Sequence, residues 1–235
     1  MNERYIEGIV LKSIPFQDSD RIVNVFTPEK GIISFLVKHL STRSPLRTNL
    51  TSPLCQAKFV YRKSYSDLHH LIDGTIVNLH LSLRHSYKYL HCGGKMLHAI
   101  KISQMPGKSA PLLYTLLMKY LNQISYFLHP EILLASFQLK LLKHEGILAL
   151  NKICLACSKK EASHLIKGES RCAKCAQNTM SLSFSSTSWN MLLQLCHAKK
   201  FTTLHSLKPY IELPQDVETL YHSLYEASKK SILLR

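Results

Sequence analysis

The sequence has few acidic residues and no long apolar segment. Fifteen Asp and Glu stand against thirty Lys and Arg in 235 residues, which gives a formal net charge of +15. A chain this basic is expected to bind a polyanion such as DNA, RNA or an anionic membrane surface. Polar residues interrupt every apolar run well before the roughly 20 residues that a membrane-spanning helix needs. The N-terminus MNERYIEG has no apolar signal core. We therefore expect a cytoplasmic protein without a membrane-spanning helix.

Acidic residues are missing altogether from two tracts. From Lys30 to Lys63 there are seven basic residues and no acid, and from Gly74 to Pro130 there are six basic residues and no acid. Single surface lysines are usually just solvated, but two acid-free tracts together favour a surface that binds phosphates. The expected phosphate contacts are Lys38, Arg43, Arg47, Lys58, Arg62 and Lys63.

The motifs of common catalytic sites are also missing. The sequence has no GxxxxGK[ST], GxGxxG, GxSxG or HExxH pattern. A metal-dependent nuclease would need a cluster of carboxylates. The N-terminal region offers only the pair Asp18 and Asp20 as candidates. Asp20 is better explained as a residue that caps a turn or pairs with Arg21. We therefore expect no enzymatic activity.

Four of the seven cysteines form two identical pairs. Cys154 and Cys157 are followed, after fourteen intervening residues, by Cys172 and Cys175. Two CxxC pairs at this separation are typical of zinc ribbons, because each pair turns back onto one metal ion and two pairs complete a tetrahedron. Four thiolates leave no open position for water. The sequence therefore predicts a structural Zn²⁺ ion held by these four residues.

Other interpretations of the cysteines stay open. They could be free thiols or a redox pair, and His164 could replace one thiolate. The segment between the two pairs is polar and too short for a core of its own, so metal binding would supply its fold. Three further cysteines are expected to be small buried hydrophobic residues: Cys55, Cys92 and Cys196.

Strand-like segments fill the first 80 residues. Turn residues separate five segments rich in Val, Ile, Phe and Tyr, which are YIEGIVLKSI, RIVNVFT, IISFLVKHL, LCQAKFVYR and LIDGTIVNLHL. Five short strands favour an OB-type barrel, a fold that binds single strands. An SH3-like barrel or a half-sandwich also fits the spacing. Phe59, Tyr61 and Tyr65 alternate with basic residues; this pattern favours core packing, with base stacking as the alternative.

The pattern changes after residue 80, where apolar residues recur at intervals of three and four. It predicts helices near 82–104, 110–128, 130–146, 186–197 and 215–231, with Pro130 at a first helical position. The sequence thus predicts an α+β protein. An N-terminal OB-type five-stranded β-barrel covers residues 1–80, and an α-helical domain covers residues 81–235 with a four-cysteine zinc segment inserted at 151–178.

Several motifs resemble the RecO family of bacterial recombination mediators. The opening EGIVLKSIPFQDSDRIVNVFTPEKG contains EGIVL, a proline turn, SDRIV and a T-x-E-x-G close. Later, FQLKLL and HEG resemble a family helix that ends in Leu-Leu-x-x-x-Gly before a four-cysteine segment. The family's K-G-A-R-R-type loop corresponds to residues 38–44, which keep the first lysine but lack the glycine and the paired arginines.

The resemblance implies an N-terminal OB-fold, a helical domain that holds the zinc segment, and no catalytic centre. It implies a nucleoid-associated protein that binds single- and double-stranded DNA and anneals complementary strands. It also implies that the protein engages the C-terminal tail of single-stranded-DNA-binding protein and joins RecR to help the recombinase RecA displace that protein. The tail would need an apolar pocket rimmed by Lys or Arg. The alternative is an RNA-binding or ribosome-associated zinc-ribbon protein, which would prefer structured RNA.

Overall fold

Five strands form a closed barrel in the order β1-β2-β3-β5-β4, with β4 pairing back onto β1. The computed structural model describes residues 3–17, 19–38, 45–207 and 213–233. The barrel strands are β1 Glu3–Phe16, β2 Asp20–Thr27, β3 Gly31–Val37, β4 Gln56–Arg62 and β5 Leu68–Asn78. All neighbours are antiparallel except the parallel pair β3 and β5. The predicted OB-type barrel is therefore confirmed.

Aromatic side chains fill the barrel interior. The ring centroid of Phe35 lies 5.6 Å from that of Phe59 and 5.2 Å from that of Tyr61. Burial alternates along β4, as expected for a strand with one face on the core. Phe59 and Tyr61 are buried, which confirms the prediction of core packing, whereas Tyr65 is fully exposed.

The glycine of the EGIVL motif allows β1 to pass close to β2. β1 pairs with β4 over its first half and with β2 over its second half. A Cβ atom at Gly8 would lie 2.5 Å from Val25 Cγ1 and 2.7 Å from the Phe26 carbonyl oxygen. Since these distances are far shorter than a van der Waals contact, only glycine fits this point of the barrel.

Three helices follow or interrupt the barrel strands: α1 Pro45–Leu50, α2 Tyr87–Ser103 and α3 Pro111–Leu121. α1 falls in the segment STRSPLRTNLTSP, which separates β3 from β4. The burial of Leu50 in the barrel core explains this helix, because tertiary contacts can stabilise a short helix that local sequence does not signal. α3 ends seven residues before the predicted end at 128, and a 3₁₀ turn at Ile124–Tyr126 follows.

The later helices are α4 Pro130–His144, α5 Ala173–Ala176, α6 Ser186–His197, α7 Phe201–His205 and α8 Leu213–Leu233. α4 packs against α6 and α8 and is buried on almost every side. Pro130 occupies its first turn, as predicted. The Ser136 hydroxyl donates to the Leu195 carbonyl oxygen of α6 at 2.7 Å.

A glycine cap ends α4 and turns the chain toward the cysteine segment. Gly146 has φ +71°, its N–H donates to the Lys143 carbonyl, and the Ile147 N–H donates to the Leu142 carbonyl. This pair of bonds defines a Schellman motif, which favours glycine at its left-handed position. The Leu-Leu-x-x-x-Gly pattern is therefore the signature of this helix end.

The cysteine segment lies between α4 and α6 in sequence, as predicted. It contains a small antiparallel sheet in the order β7-β6-β8, with β6 His164–Ile166, β7 Glu169–Arg171 and β8 Leu182–Ser183. Two compact units comprise Met1–Tyr126 and Phe127–Arg235, so the first unit extends beyond the barrel through α2 and α3. A domain boundary after residue 80 stays a prediction. Within the described ranges, no helix is long and apolar enough to cross a membrane.

Candidate metal centre and nucleic-acid interface

Each CxxC pair is held in a single hydrogen-bonded turn. The Ser158 N–H donates to the Cys154 carbonyl at 2.9 Å, and the Cys154 N–H donates to the Lys160 carbonyl at 2.9 Å. In the second pair, Cys172 precedes the first residue of α5, and its carbonyl accepts from the Ala176 N–H at 3.0 Å. These turns direct the thiols of each pair to the same side of the chain.

The four thiols converge on one point. The sulfur atoms of Cys154, Cys157, Cys172 and Cys175 all lie within 4.8 Å of one another, and those of Cys157 and Cys172 are 3.9 Å apart. A tetrahedral zinc site with Zn–S bonds of about 2.3 Å requires sulfur atoms roughly 3.8 Å apart. The arrangement therefore fits a four-thiolate metal site with no open position.

Backbone groups prepare some of these thiols for ligation. Burial raises the pKa of the Cys154 thiol, but N–H groups in both turns offset this effect and lower its pKa to about 6. The backbone at Lys159 and Lys160 lowers the pKa of Cys157. The neighbouring Cys172 sulfur raises the pKa of Cys175 to about 12. Since four thiolates repel one another at this distance, a bound cation must replace the protons before all four ionise.

The described residues contain no other group of three or more His, Cys, Asp or Glu with this geometry. His164 does not belong to the cluster, and its Nδ1 lies 2.9 Å from the Ser163 hydroxyl. The alternative in which His164 replaces a thiolate therefore has no geometric support. Asp18, half of the carboxylate pair considered for a nuclease, lies outside the described residues.

Of the first three residues predicted to contact phosphate, Lys38 is exposed directly after β3. Arg43 lies outside the described residues. Arg47, on α1, is half-buried, and its Nη2 donates to the Ile72 carbonyl oxygen at 3.3 Å. One N–H of this side chain is thus used within the fold, so Arg47 has a structural contact besides any contact to DNA.

The next two predicted residues share a face of the barrel with acids. Lys58 and Arg62 are exposed on β4, where their cross-strand partners on β1 are Glu7 and Glu3. Directly opposite residues in an antiparallel pair lie on the same face of the sheet. Asp73 is exposed on the neighbouring strand β5. The tract is acid-free in sequence, but strand pairing brings acids beside it. Lys63, the sixth predicted residue, is exposed just beyond β4.

A basic groove lies between β1 and α2 within the first unit. It has a volume of about 390 Å³, and its charged or titratable lining residues are Lys12, His98 and Lys101. Apolar residues complete the lining: Leu11, Pro53, Leu54, Leu90 and Leu97. Two of the three basic residues lie in the second acid-free tract, which pointed to a binding surface. Lys12 was missed because it belongs to another part of the chain.

The second unit has an apolar pocket with a basic rim. Its volume is about 760 Å³, and no acidic residue lines it. Lys143, Lys152 and Lys199 form the rim, and the apolar lining includes Leu150, Leu155 and Leu193. His197 joins the two parts, because its Nε2 donates to the Leu150 carbonyl at 3.0 Å and its Nδ1 accepts from Lys143 Nζ at 3.2 Å.

The closed OB-type barrel, the helical unit and the four-cysteine cluster define the class of this protein. It is an OB-barrel protein whose helical part carries a cysteine segment with the geometry of a metal site.

Residues 1–80 match the family model described as recombination protein O N terminal. DNA repair protein RecO of Chlamydia pneumoniae is 30% identical over 227 residues, covering 95% of this chain and 89% of that protein. RecO of Chlamydia trachomatis serovar L2 is 30% identical over 225 residues, covering 94% and 90%. RecO of Caldicellulosiruptor saccharolyticus is 23% identical over 225 residues, covering 93% and 91%. The chain belongs to the RecO family of DNA repair proteins.

Proposed function

We propose that this protein is a recombination mediator that binds and anneals single-stranded DNA and helps to load recombinase onto strands coated by single-stranded-DNA-binding protein. The observation that carries this proposal is the groove beside the OB-type barrel, where every charged lining residue is basic. Such a groove can follow a phosphate backbone without reading bases, since binding releases counterions from the strand. The protein works by binding and has no catalytic role.

Among the predicted contacts, Lys38 and Lys63 carry the proposal best because both are exposed at strand ends of the barrel. Arg43 stays in the proposal as the basic residue between β3 and α1. Arg47, Lys58 and Arg62 have a smaller part, since Arg47 binds the Ile72 carbonyl and the other two lie opposite acids. The groove adds Lys101, from the second acid-free tract, and Lys12, which the sequence did not suggest.

Annealing requires the charge of two strands to be neutralised at once. Lys63 after β4 and the groove beside α2 are separate basic positions of the first unit, and they can each hold one strand. Tyr87 is exposed at the start of α2 and stacks on His91 with ring centroids 5.5 Å apart. An exposed aromatic pair next to basic residues suits unpaired bases, which stack on aromatic rings without sequence preference.

The basic-rimmed pocket of the second unit suits the C-terminal tail of single-stranded-DNA-binding protein. We place an acidic peptide with an apolar end here, its apolar end against Leu150, Leu155 and Leu193 and its carboxylates near the lysine rim. RecR and, through it, RecA complete the set of partners proposed from the family. A mediator of this kind acts at the chromosome in the cytoplasm. Zn²⁺ held by the four cysteines has a structural role.

The first experiment measures binding of a labelled single strand over a salt series, with and without single-stranded-DNA-binding protein on the strand, followed by an annealing assay. We expect salt-sensitive binding that persists on the coated strand and accelerates annealing. Structured RNA serves as competitor. Absence of DNA binding, or binding to folded RNA alone, would favour the RNA-binding alternative.

The pocket is tested with the double variant Lys143→Glu/Lys199→Glu, which reverses two rim charges on the surface. We expect this variant to lose binding to the coated strand and to the isolated tail peptide while it binds bare DNA as before. Lys174→Glu, an exposed residue of α5 outside the pocket, is the charge control. Equal binding of the tail peptide by both variants would remove the pocket from the proposal.

A further inference from the structure

Basic side chains gather at one end of the barrel, where β1 and β5 begin and β4 ends. We call this end the barrel mouth and define it by Arg4, Lys30, Tyr61, Lys63 and His69. Arg4 is the direct cross-strand partner of Tyr61, so both lie on the inward face. Lys63 follows Tyr61 by two positions and His69 precedes the buried Leu71 by two, which continues the same inward pattern on β4 and β5.

The Tyr61 hydroxyl is the centre of the barrel mouth. It is buried and accepts a hydrogen bond from Lys30 Nζ at 3.0 Å, so it holds this cation at the mouth. The His69 ring stacks on the Tyr61 ring with centroids 5.4 Å apart and planes 16° apart. His69 Nδ1 accepts from the Ser64 N–H at 3.4 Å, which leaves Nε2 as the donor of the neutral imidazole.

The charge around these groups is mainly positive. Burial lowers the pKa of His69, and the nearby cations Lys30, Lys63 and Arg4 lower it further, while Asp67 acts in the opposite direction. Lys30, Lys63 and Arg4 therefore all act electrostatically on His69, with one acid opposing them. The mouth therefore concentrates positive charge around the His69 ring, whose Nε2 is its hydrogen-bond donor.

The mouth suits one phosphate group better than a continuous strand. Phe35, Phe59 and the Tyr61 ring fill the interior behind it, so a ligand can approach only from outside. The adjoining exposed face of β1 and β4 carries Glu3 and Glu7, which disfavour further phosphates along that path. A phosphate monoester has about two negative charges and three acceptor oxygens, whereas a phosphodiester has one charge.

We propose that the barrel mouth binds the terminal phosphate of a DNA strand, with Lys30, Lys63 and Arg4 supplying charge, His69 Nε2 donating a hydrogen bond and the buried Tyr61 hydroxyl positioning Lys30. This inference rests on the proposed function, because it assumes a DNA ligand. Tyr65 is fully exposed two residues after Lys63. Its ring can stack on the terminal base, which adds binding energy without sequence preference.

The test compares oligonucleotides of one sequence that carry a 5′-phosphate, a 3′-phosphate or hydroxyl groups at both ends, by fluorescence anisotropy with the full chain. A hydroxyl-ended strand one nucleotide longer controls for added backbone charge. We expect one phosphorylated end to bind about five- to ten-fold more tightly than both hydroxyl-ended strands, as charge-assisted hydrogen bonds would produce. Added inorganic phosphate should compete for the mouth and remove this difference in affinity.

Two variants locate the effect. Tyr61→Phe keeps the buried ring and removes the hydroxyl, and Lys63→Ala removes an exposed cation; each should reduce the preference for the phosphorylated end, and together they should abolish it. Lys119→Ala, exposed on α3, makes the same charge change and should keep the preference. Equal affinity for phosphorylated and hydroxyl ends, or a preference that survives the double variant, overturns the inference. Failure of every strand to bind would instead contradict the proposed function.

Discussion

His80 shows how a single buried residue makes stability depend on pH. It is buried at the end of the barrel region, and its Nδ1 donates to the Leu54 carbonyl oxygen at 2.9 Å. Its φ of +47° places it in the left-handed region, which Asn and His adopt more readily than most residues. Burial lowers the pKa of His80 below 6.5, although its hydrogen bonds act in the opposite direction.

The His80 pKa predicts lower stability in acid. Below about pH 6.5 the unfolded chain protonates this histidine before the folded chain does. The stability that the neutral, buried His80 contributes is therefore complete above that pH and is lost as the pH falls. The loss has a limiting slope of about 1.4 kcal/mol per pH unit. In urea titrations at about pH 7.5 and about pH 5.5, His80→Asn should lose less stability than the parent. His85→Asn, on the surface, should behave like the parent, and equal losses in all three would contradict the assignment.

Gly8 is fixed by space rather than by its backbone angle. We expect Gly8→Ala to reduce the free energy of unfolding by about 1–3 kcal/mol, as overpacking of a core does, because the added Cβ would overlap Val25 and the Phe26 carbonyl. Gly94→Ala is the control, since a Cβ there meets nothing within 4 Å and alanine favours the helix. Urea denaturation measures both. Unchanged stability of the Gly8 variant would show that β1 can move away from β2.

At the scale of elements, α4 and the cysteine segment depend on each other through a short connection. The Schellman cap at Gly146 ends α4, and three residues later the Ala149 N–H donates to the Gly168 carbonyl at 2.8 Å. The cysteine segment itself has only three short strands and the one-turn helix α5. Elements this short are not stable alone, so the attachment to α4 and, when bound, a metal ion at the four cysteines would stabilise them.

Loss of the metal should therefore unfold the cysteine segment. Cys154→Ser/Cys172→Ser removes one ligand from each turn, and we expect loss of bound zinc together with a lower thermal midpoint. Cys92→Ala, a buried cysteine of α2 outside the cluster, should retain the metal. Elemental analysis and thermal melts measure the two effects. Full retention of zinc by the double serine variant would contradict four-thiolate ligation.

At the scale of the whole molecule, the net charge of +15 is useful to DNA binding only where acids do not neutralise it. No acidic residue lines the groove beside α2. On the exposed face of the barrel, by contrast, the basic residues of β4 lie beside Glu3 and Glu7 of β1. The affinity for DNA should thus depend on the position of a lysine rather than on the total charge.

The salt dependence of binding distinguishes these positions. For single strands, the slope of log K against log salt changes by roughly 0.7 for each phosphate that the protein no longer neutralises. Lys12→Ala/Lys101→Ala should therefore make the slope shallower by about 1.4, whereas Lys58→Ala should change it by less than about 0.7. A larger change for Lys58→Ala than for the double variant would show that the β4 face is the principal DNA-binding surface.

The barrel strands, the main helices and the cysteine cluster were predictable from sequence, because each leaves a local signal: alternation, a three-to-four interval or the CxxC spacing. Phe59 and Tyr61 were assigned to the core from such alternation. Which charges become neighbours depends on how the strands and helices pack. The pairing of β1 with β4 places Glu7 opposite Lys58 and Glu3 opposite Arg62. Lys12 of β1 and Lys101 of α2 line the same groove. The helix α1 likewise depends on burial of Leu50 in the barrel. These features arise from packing between residues far apart in the chain, which no local pattern records.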